Sequence, residues 1–176
     1  SAIASIGGGS GNTSTLSYCT SGPGSNTNSN IELVKLIGDG DSIVNNTSGM
    51  CDTYEDYTNL FTTLSPGQNY NIQVDLSSCP NQFGQVFYFD DGAKIFIDWN
   101  IDGDFDDVDE LIGQMSATQS PSYQSFNFTV PLNAVPGQSR MRVVTQNYAY
   151  QPSNQSNACD YNTAWFGETE DYTILV

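Results

Sequence analysis

Histidine is missing altogether from the 176-residue chain, and lysine and arginine together number only four. The first absence removes the usual general base near neutral pH and the commonest nitrogen ligand of metals. The second, set against twenty Asp and Glu, leaves a formal net charge of −16. A chain so acidic repels phosphate backbones and anionic lipid, so neither a nucleic-acid partner nor a membrane-surface role is expected. No apolar run is long enough to span a bilayer, which argues against membrane insertion. No close C-x-x-C pair is present, and with no histidine to complete a ligand set, a zinc site is not expected. The chain shows no signal peptide and does not begin with Met, so it reads as a processed or excised piece of a larger parent with neighbouring domains.

Four dispersed cysteines, Cys19, Cys51, Cys79 and Cys159, in a polar composition suggest two disulfides and an oxidising, extracellular compartment. Three pairings are open to four cysteines. The favoured one is Cys19–Cys159, a staple between the chain ends, with Cys51–Cys79 closing the shorter loop.

Residues 1–17, with their Gly7–Gly11 tract, read as a flexible Gly/Ser linker, and 18–176 as one domain. Short apolar runs recur there between Gly, Pro, Asn and Ser. Ile31–Ile37, Tyr57–Leu64, Tyr70–Leu76, Ala93–Asn100, Ser125–Val130, Met141–Gln146 and Tyr172–Val176 are the expected strands. No window holds a helical period with caps at both ends. The expected class is all-β, a β-sandwich or jelly roll.

The strongest chemical signal is Asp98-Trp99-Asn100-Ile101-Asp102-Gly103-Asp104-Phe105-Asp106-Asp107-Val108-Asp109-Glu110. It fits D-x-N-x-D-G with an acid at loop position twelve, and calcium takes six to eight oxygens of this kind. Asp98, Asn100 and Asp102 supply side-chain oxygens at alternating positions, while Gly103 permits the sharp turn. Asp104 offers its backbone carbonyl, Asp106 acts through a water, and Asp109 or the adjoining Glu110 closes the shell. Ile95-Phe96-Ile97 before the loop is β-branched and aromatic, so a strand delivers the first ligand where an EF-hand uses a helix. The competing reading is a solvated acidic turn, since Asp and Gly favour turns without any ion.

A second acidic run, Gly167-Glu168-Thr169-Glu170-Asp171-Tyr172, leads into the last expected strand. The only arginines, Arg140 and Arg142, share one face of another strand. Pairing of these arginines with Glu168, Glu170 and Asp171 is the simplest account, with a metal contribution from Glu168 or Glu170 as the alternative. Asp39, Asp41, Asp52, Glu55 and Asp56 raise the separate question of a second ion.

In combination these residues resemble the GEVED domain, whose motif appears as Gly167-Glu168-Thr169-Glu170-Asp171, with Thr in place of Val. Tyr18-Cys19, Tyr54-Glu55-Asp56-Tyr57, the run Ile97–Phe105, Gly137 and Arg140-Met141-Arg142-Val143 extend the likeness from about Tyr18 to Val176. The resemblance implies a β-rich accessory module of secreted or cell-surface bacterial proteins, of the Bacteroidota type. In the same vein, Asp41-Ser42-Ile43 looks like the short O-glycosylation site used in that group.

The expected function is therefore an extracellular, calcium-stabilised module for adhesion or substrate attachment, meeting surface proteins or glycans. The alternative is a carbohydrate-binding module, with Tyr148, Tyr150, Tyr161 and Trp165 in a Tyr/Asn-rich connection as a candidate ligand loop. A glycosidase using Glu168 and Glu170 ranks lower, because no histidine, free thiol or nucleophile-elbow serine accompanies them. The chain is not expected to be an enzyme.

Overall fold

The computed structural model describes residues 16–114, 117–148, 157–160 and 166–176. Ten strands run through them: β1 (Asn30–Ile37), β2 (Ser42–Asn46), β3 (Tyr54–Thr63), β4 (Asn69–Ser77), β5 (Asp90–Ile97), β6 (Leu111–Gln114), β7 (Thr118–Gln119), β8 (Ser122–Thr129), β9 (Gln138–Asn147) and β10 (Gly167–Leu175). No helix occurs among the described residues, so none is long and apolar enough to cross a membrane. The strands form a four-stranded sheet, β2-β1-β4-β8, and a six-stranded sheet, β3-β10-β9-β5-β6 with β7 added to β5. Among these ten strands all pairings are antiparallel except β3 with β10.

Alternation drives the two sheets together. In β4, Ile72, Val74 and Leu76 are buried while the residues between them are more exposed. They meet Ile95 and Ile97 of β5, Met141 and Val143 of β9, and Tyr172 and Ile174 of β10 in one core. Contact is close enough that a Cβ on Gly113 would fall 1.9 Å from the Phe126 ring, so only glycine lets β6 pass β8.

β5, β9 and β10 are buried on both faces, unlike the half-exposed β3 and β4. Their outer face carries a smaller cluster of Phe96, Phe105, Val144 and Ala158, closed by Tyr18 and Cys19 from the leading segment. The disulfide Cys19–Cys159, with Cα atoms 5.3 Å apart, pins this covering chain, and Cys51–Cys79, at 6.0 Å, joins the β2–β3 connection to the segment after β4.

Three strands were not expected from sequence. β2, β6 and β7 are short edge pieces with little apolar alternation, and pairing with β1 and β5 forms them. β10 also begins at Gly167, five residues before the expected Tyr172, so the acidic run lies inside the strand.

Candidate functional site

The acidic loop joins β5 to β6, and its first residue is a structural anchor. Asp98 is fully buried. Its Oδ1 accepts from the N–H groups of Ile101 (2.6 Å) and Asp102 (3.3 Å), and its Oδ2 from Gly103 N–H (3.1 Å) and the Tyr18 hydroxyl (2.7 Å). Those bonds hold an unfavourable bend. Ile101 has φ 57° and Gly103 φ 98°, and a β-branched residue adopts the left-handed region only under such constraint.

Glu110 closes the loop from the other end. It is buried, its Oε1 accepts from Trp99 N–H (3.1 Å) and its Oε2 from Asp107 N–H (3.3 Å). Burial is the main cause pushing its carboxyl up to about 7. Trp99 adds a bond from Nε1 to the Asp109 carbonyl (3.1 Å), where the chain turns with φ 75°. Asp98 and Glu110 thus shape the loop from beneath, with both carboxylates engaged by donors of the chain itself.

Above this base, Asp102, Asp104 and Asp107 each bring a carboxylate oxygen within 4.8 Å of the other two, and all three are exposed. Asn100 joins them, its Nδ2 donating to Asp102 (2.8 Å) and Asp107 (2.5 Å). Oxygens on opposite sides of a calcium ion stand about 4.6–5.2 Å apart, twice its bond length, so the spacing suits that ion. The ion pairs of the described residues lie elsewhere, on Asp171.

Of the loop residues expected to hold calcium, the structure therefore gathers Asp102 and Asp104, with Asn100 beside them through its amide nitrogen. Asp98, Asp106, Asp109 and Glu110 are not in the convergent set, and Asp107, given no role by the sequence spacing, joins it instead. The Glu110 clamp explains the shift, because it draws the Asp107 N–H inward and brings that carboxylate over the loop.

A second centre is built on the two faces of β10. On the outer face, Asp171 is opposite Arg142 of β9 and fully buried. Arg142 donates to both its oxygens (Nε at 2.7 Å, second terminal nitrogen at 2.8 Å), and Arg140 adds a contact of 3.1 Å. The remaining Arg142 nitrogen donates to the carbonyls of Cys19 (2.9 Å) and Ala158 (2.6 Å), so the guanidinium ties both arms of the disulfide to the sheet. Arg140 lies over the Tyr18 ring and Arg142 over Phe105, linking this pair to the acidic loop.

Glu168 and Glu170 are not part of that pairing, which corrects the expected arginine contacts. Alternation along β10 sends them to the inner face with Tyr172 and Ile174, where both are fully buried. They converge with Glu55 of β3, one oxygen of each within 4.8 Å of the others. Donors come from the chain: Ile31 N–H to Glu168 (2.7 Å), the Tyr172 hydroxyl to Glu170 (2.6 Å) and the Tyr57 hydroxyl to Glu55. Burial, followed for Glu168 by repulsion from Glu170, raises both carboxyls.

Of the candidate ligand loop, Tyr148 is half-buried, and Tyr150, Tyr161 and Trp165 lie outside the described residues. Sequence reasoning passed over the aromatics between β4 and β5. There Phe83, Phe87 and Tyr88 are exposed. It also passed over the clefts beside the acidic loop, one of them lined by Trp99, Asp107, Val108, Pro131 and Asn133.

Residues 92–175 match the family model of the GEVED domain. No curated protein matches the chain. The matched stretch holds both β5–β10 and the acidic loop, but its strands are completed by earlier ones: β3 pairs with β10, and β8 joins the sheet of β1, β2 and β4.

Proposed function

From a chain whose residues 92–175 match the GEVED domain model, we propose an extracellular accessory module that supports attachment of a larger protein, with calcium fixing its β5–β6 loop. The observation that carries this reading is the convergence of Asp102, Asp104 and Asp107 on one point, over a loop already braced by Asp98 and Glu110. Three exposed carboxylates so close repel one another, and a hard divalent cation removes the repulsion while making use of the geometry. Asn100 stands between two of them with its Nδ2 donating to both, and a turn of its amide would bring the oxygen to the ion. Two disulfides suit an oxidising, extracellular compartment.

Attachment is assigned to the surface that the loop supports. Val108 and Leu132 are almost fully exposed there, and Leu111 is exposed beside the second cleft. A metal that stiffens the loop holds these apolar side chains in place before a partner arrives, which lowers the ordering cost of binding. The reading leaves catalysis out. Glu168 and Glu170, the pair a glycosidase would use, are fully buried, which leaves no room for a sugar ring between them.

Carbohydrate binding is the second reading, and the exposed Phe83, Phe87 and Tyr88 favour it, because sugars stack on aromatic faces. Glycan and extracellular-protein arrays probed in calcium, then in chelator, test both. Calcium-dependent retention lost in V108D/L132D supports the loop surface. Retention lost only in F83A/F87A supports the glycan reading, and retention of nothing contradicts attachment.

A further inference from the structure

Glu168 presents an unusual problem. It is fully buried, its Oε2 is satisfied by Ile31 N–H, and its Oε1 meets no donor of the chain, the other partner of this side chain being the carboxyl of Glu55. Such an orphaned oxygen in a core is costly, and a carboxylate there more so. Its neighbours worsen the problem, since Glu170 is equally buried and Glu55 completes the group.

None of the chain's four basic residues relieves it. Arg140 and Arg142 are spent on Asp171 across the sheet. Lys94 is held on the outer face near Asp160, and Lys35 is exposed on β1. The surroundings resemble a prepared coordination shell instead. Tyr57 and Tyr172 each donate to one carboxylate, Asn45 donates to Tyr172 (2.9 Å), and Thr47 donates to the Ile31 carbonyl (2.9 Å) with its hydroxyl 3.5 Å from Glu170 Oε1. Each glutamate is thereby fixed by a neighbour through one oxygen, as ligands of a metal are by the groups around them. Glu55, only half-buried on the edge strand β3, leads from the cluster to solvent.

We propose that Glu55, Glu168 and Glu170 form a second, inter-sheet site for a hard divalent cation, with the orphaned Glu168 oxygen among its ligands. Oxygens within 4.8 Å of one another can share one ion of the calcium class at ordinary bond lengths. Carboxylate and hydroxyl donors without nitrogen or sulfur select calcium, manganese(II) or magnesium over zinc or copper. A cation here would tie β3 and β10 of one sheet to β1 of the other through Ile31, and to Thr47 just past β2. The site is independent of the β5–β6 loop and stands whether or not that loop holds calcium.

The test is titration calorimetry of the full chain with calcium and, separately, with manganese(II), on metal-free protein. D102N/D104N/D107N removes the loop site, and one equivalent of cation is expected to remain. Adding E168Q to that variant is expected to abolish the remaining equivalent, while leaving a folded protein, because an amide suits the buried position better than an uncompensated charge. E55Q, on the edge strand, is a milder second variant, expected to weaken binding at least tenfold. If the loop variant binds neither cation, the cluster is a set of protonated carboxyls and the proposal is overturned. If it binds one equivalent that E168Q and E55Q leave unchanged, the proposal is likewise overturned.

Discussion

The two faces of β10 bury acidic side chains in opposite ways. Outward, Asp171 meets Arg142 and Arg140 and is neutralised within the chain. Inward, one residue to either side, Glu170 and Tyr172 face the other sheet, and Glu170 with Glu168 has only neutral donors and another acid for company. The first arrangement is complete as folded. The second requires protons or a cation from outside, so one strand combines an internal brace with a centre that responds to its medium.

D171N should injure the outward face most. Removing one partner of a buried pair leaves two arginines uncompensated, and the expected loss is about 3–5 kcal/mol, read by denaturant unfolding. Because Arg142 also holds the Cys19 and Ala158 carbonyls, C19S/C159S should injure the same face, at about 2–5 kcal/mol in the same assay. E168Q should behave in the opposite way. In metal-free buffer at neutral pH it is expected to leave stability unchanged or raise it by about 1 kcal/mol, since the amide needs no proton uptake to sit where burial disfavours a carboxylate. Equal losses from D171N and E168Q would erase the distinction between the faces.

A smaller effect comes from Asp91 of β5, which is fully buried. Ser120 donates to its Oδ2, Ser29 and Asn147 lie beside it, and Asp90 is the adjacent charge. Burial pushes its carboxyl up to about 7 from an ordinary 3.8. The folded state therefore keeps this proton where the unfolded chain releases it. Its contribution to stability is full below about pH 4 and is lost as pH rises to about 7. Unfolding of wild type and D91N measured across that range should show the wild type losing ground relative to the variant as pH increases.

Much of this arrangement was legible in the sequence, and the reason it was is periodicity. Strands with clean alternation, such as Tyr70–Leu76, declared both their existence and their inward faces, and the cysteine pairing suggested by chain ends is the one found. The loop declared itself through Asp98, Asn100, Asp102 and Gly103. What spacing did not reveal was that Asp98 would face a covered surface, where Tyr18 and three backbone N–H groups claim its oxygens. It also did not reveal that Glu110 would bring Asp107 into the group. The inward turn of Glu168 and Glu170 was in principle readable, because they share parity with Tyr172 and Ile174. Chemistry argued the other way, as carboxylates are expected to seek arginines before a core, and starting the strand at Tyr172 hid the parity. β2, β6 and β7 gave no such signal, since pairing with a longer neighbour forms them.

Whether calcium in the β5–β6 loop stabilises this module is read from thermal unfolding in millimolar calcium and in chelator. Calcium at one hundred times its dissociation constant adds about 2.7 kcal/mol, or about 5–10 °C in a domain of this size. Wild type is expected to show a rise of that order, and D102N/D104N/D107N to lose the loop's share of it. A wild-type Tm indifferent to calcium, or a rise undiminished in the triple variant, would contradict the account.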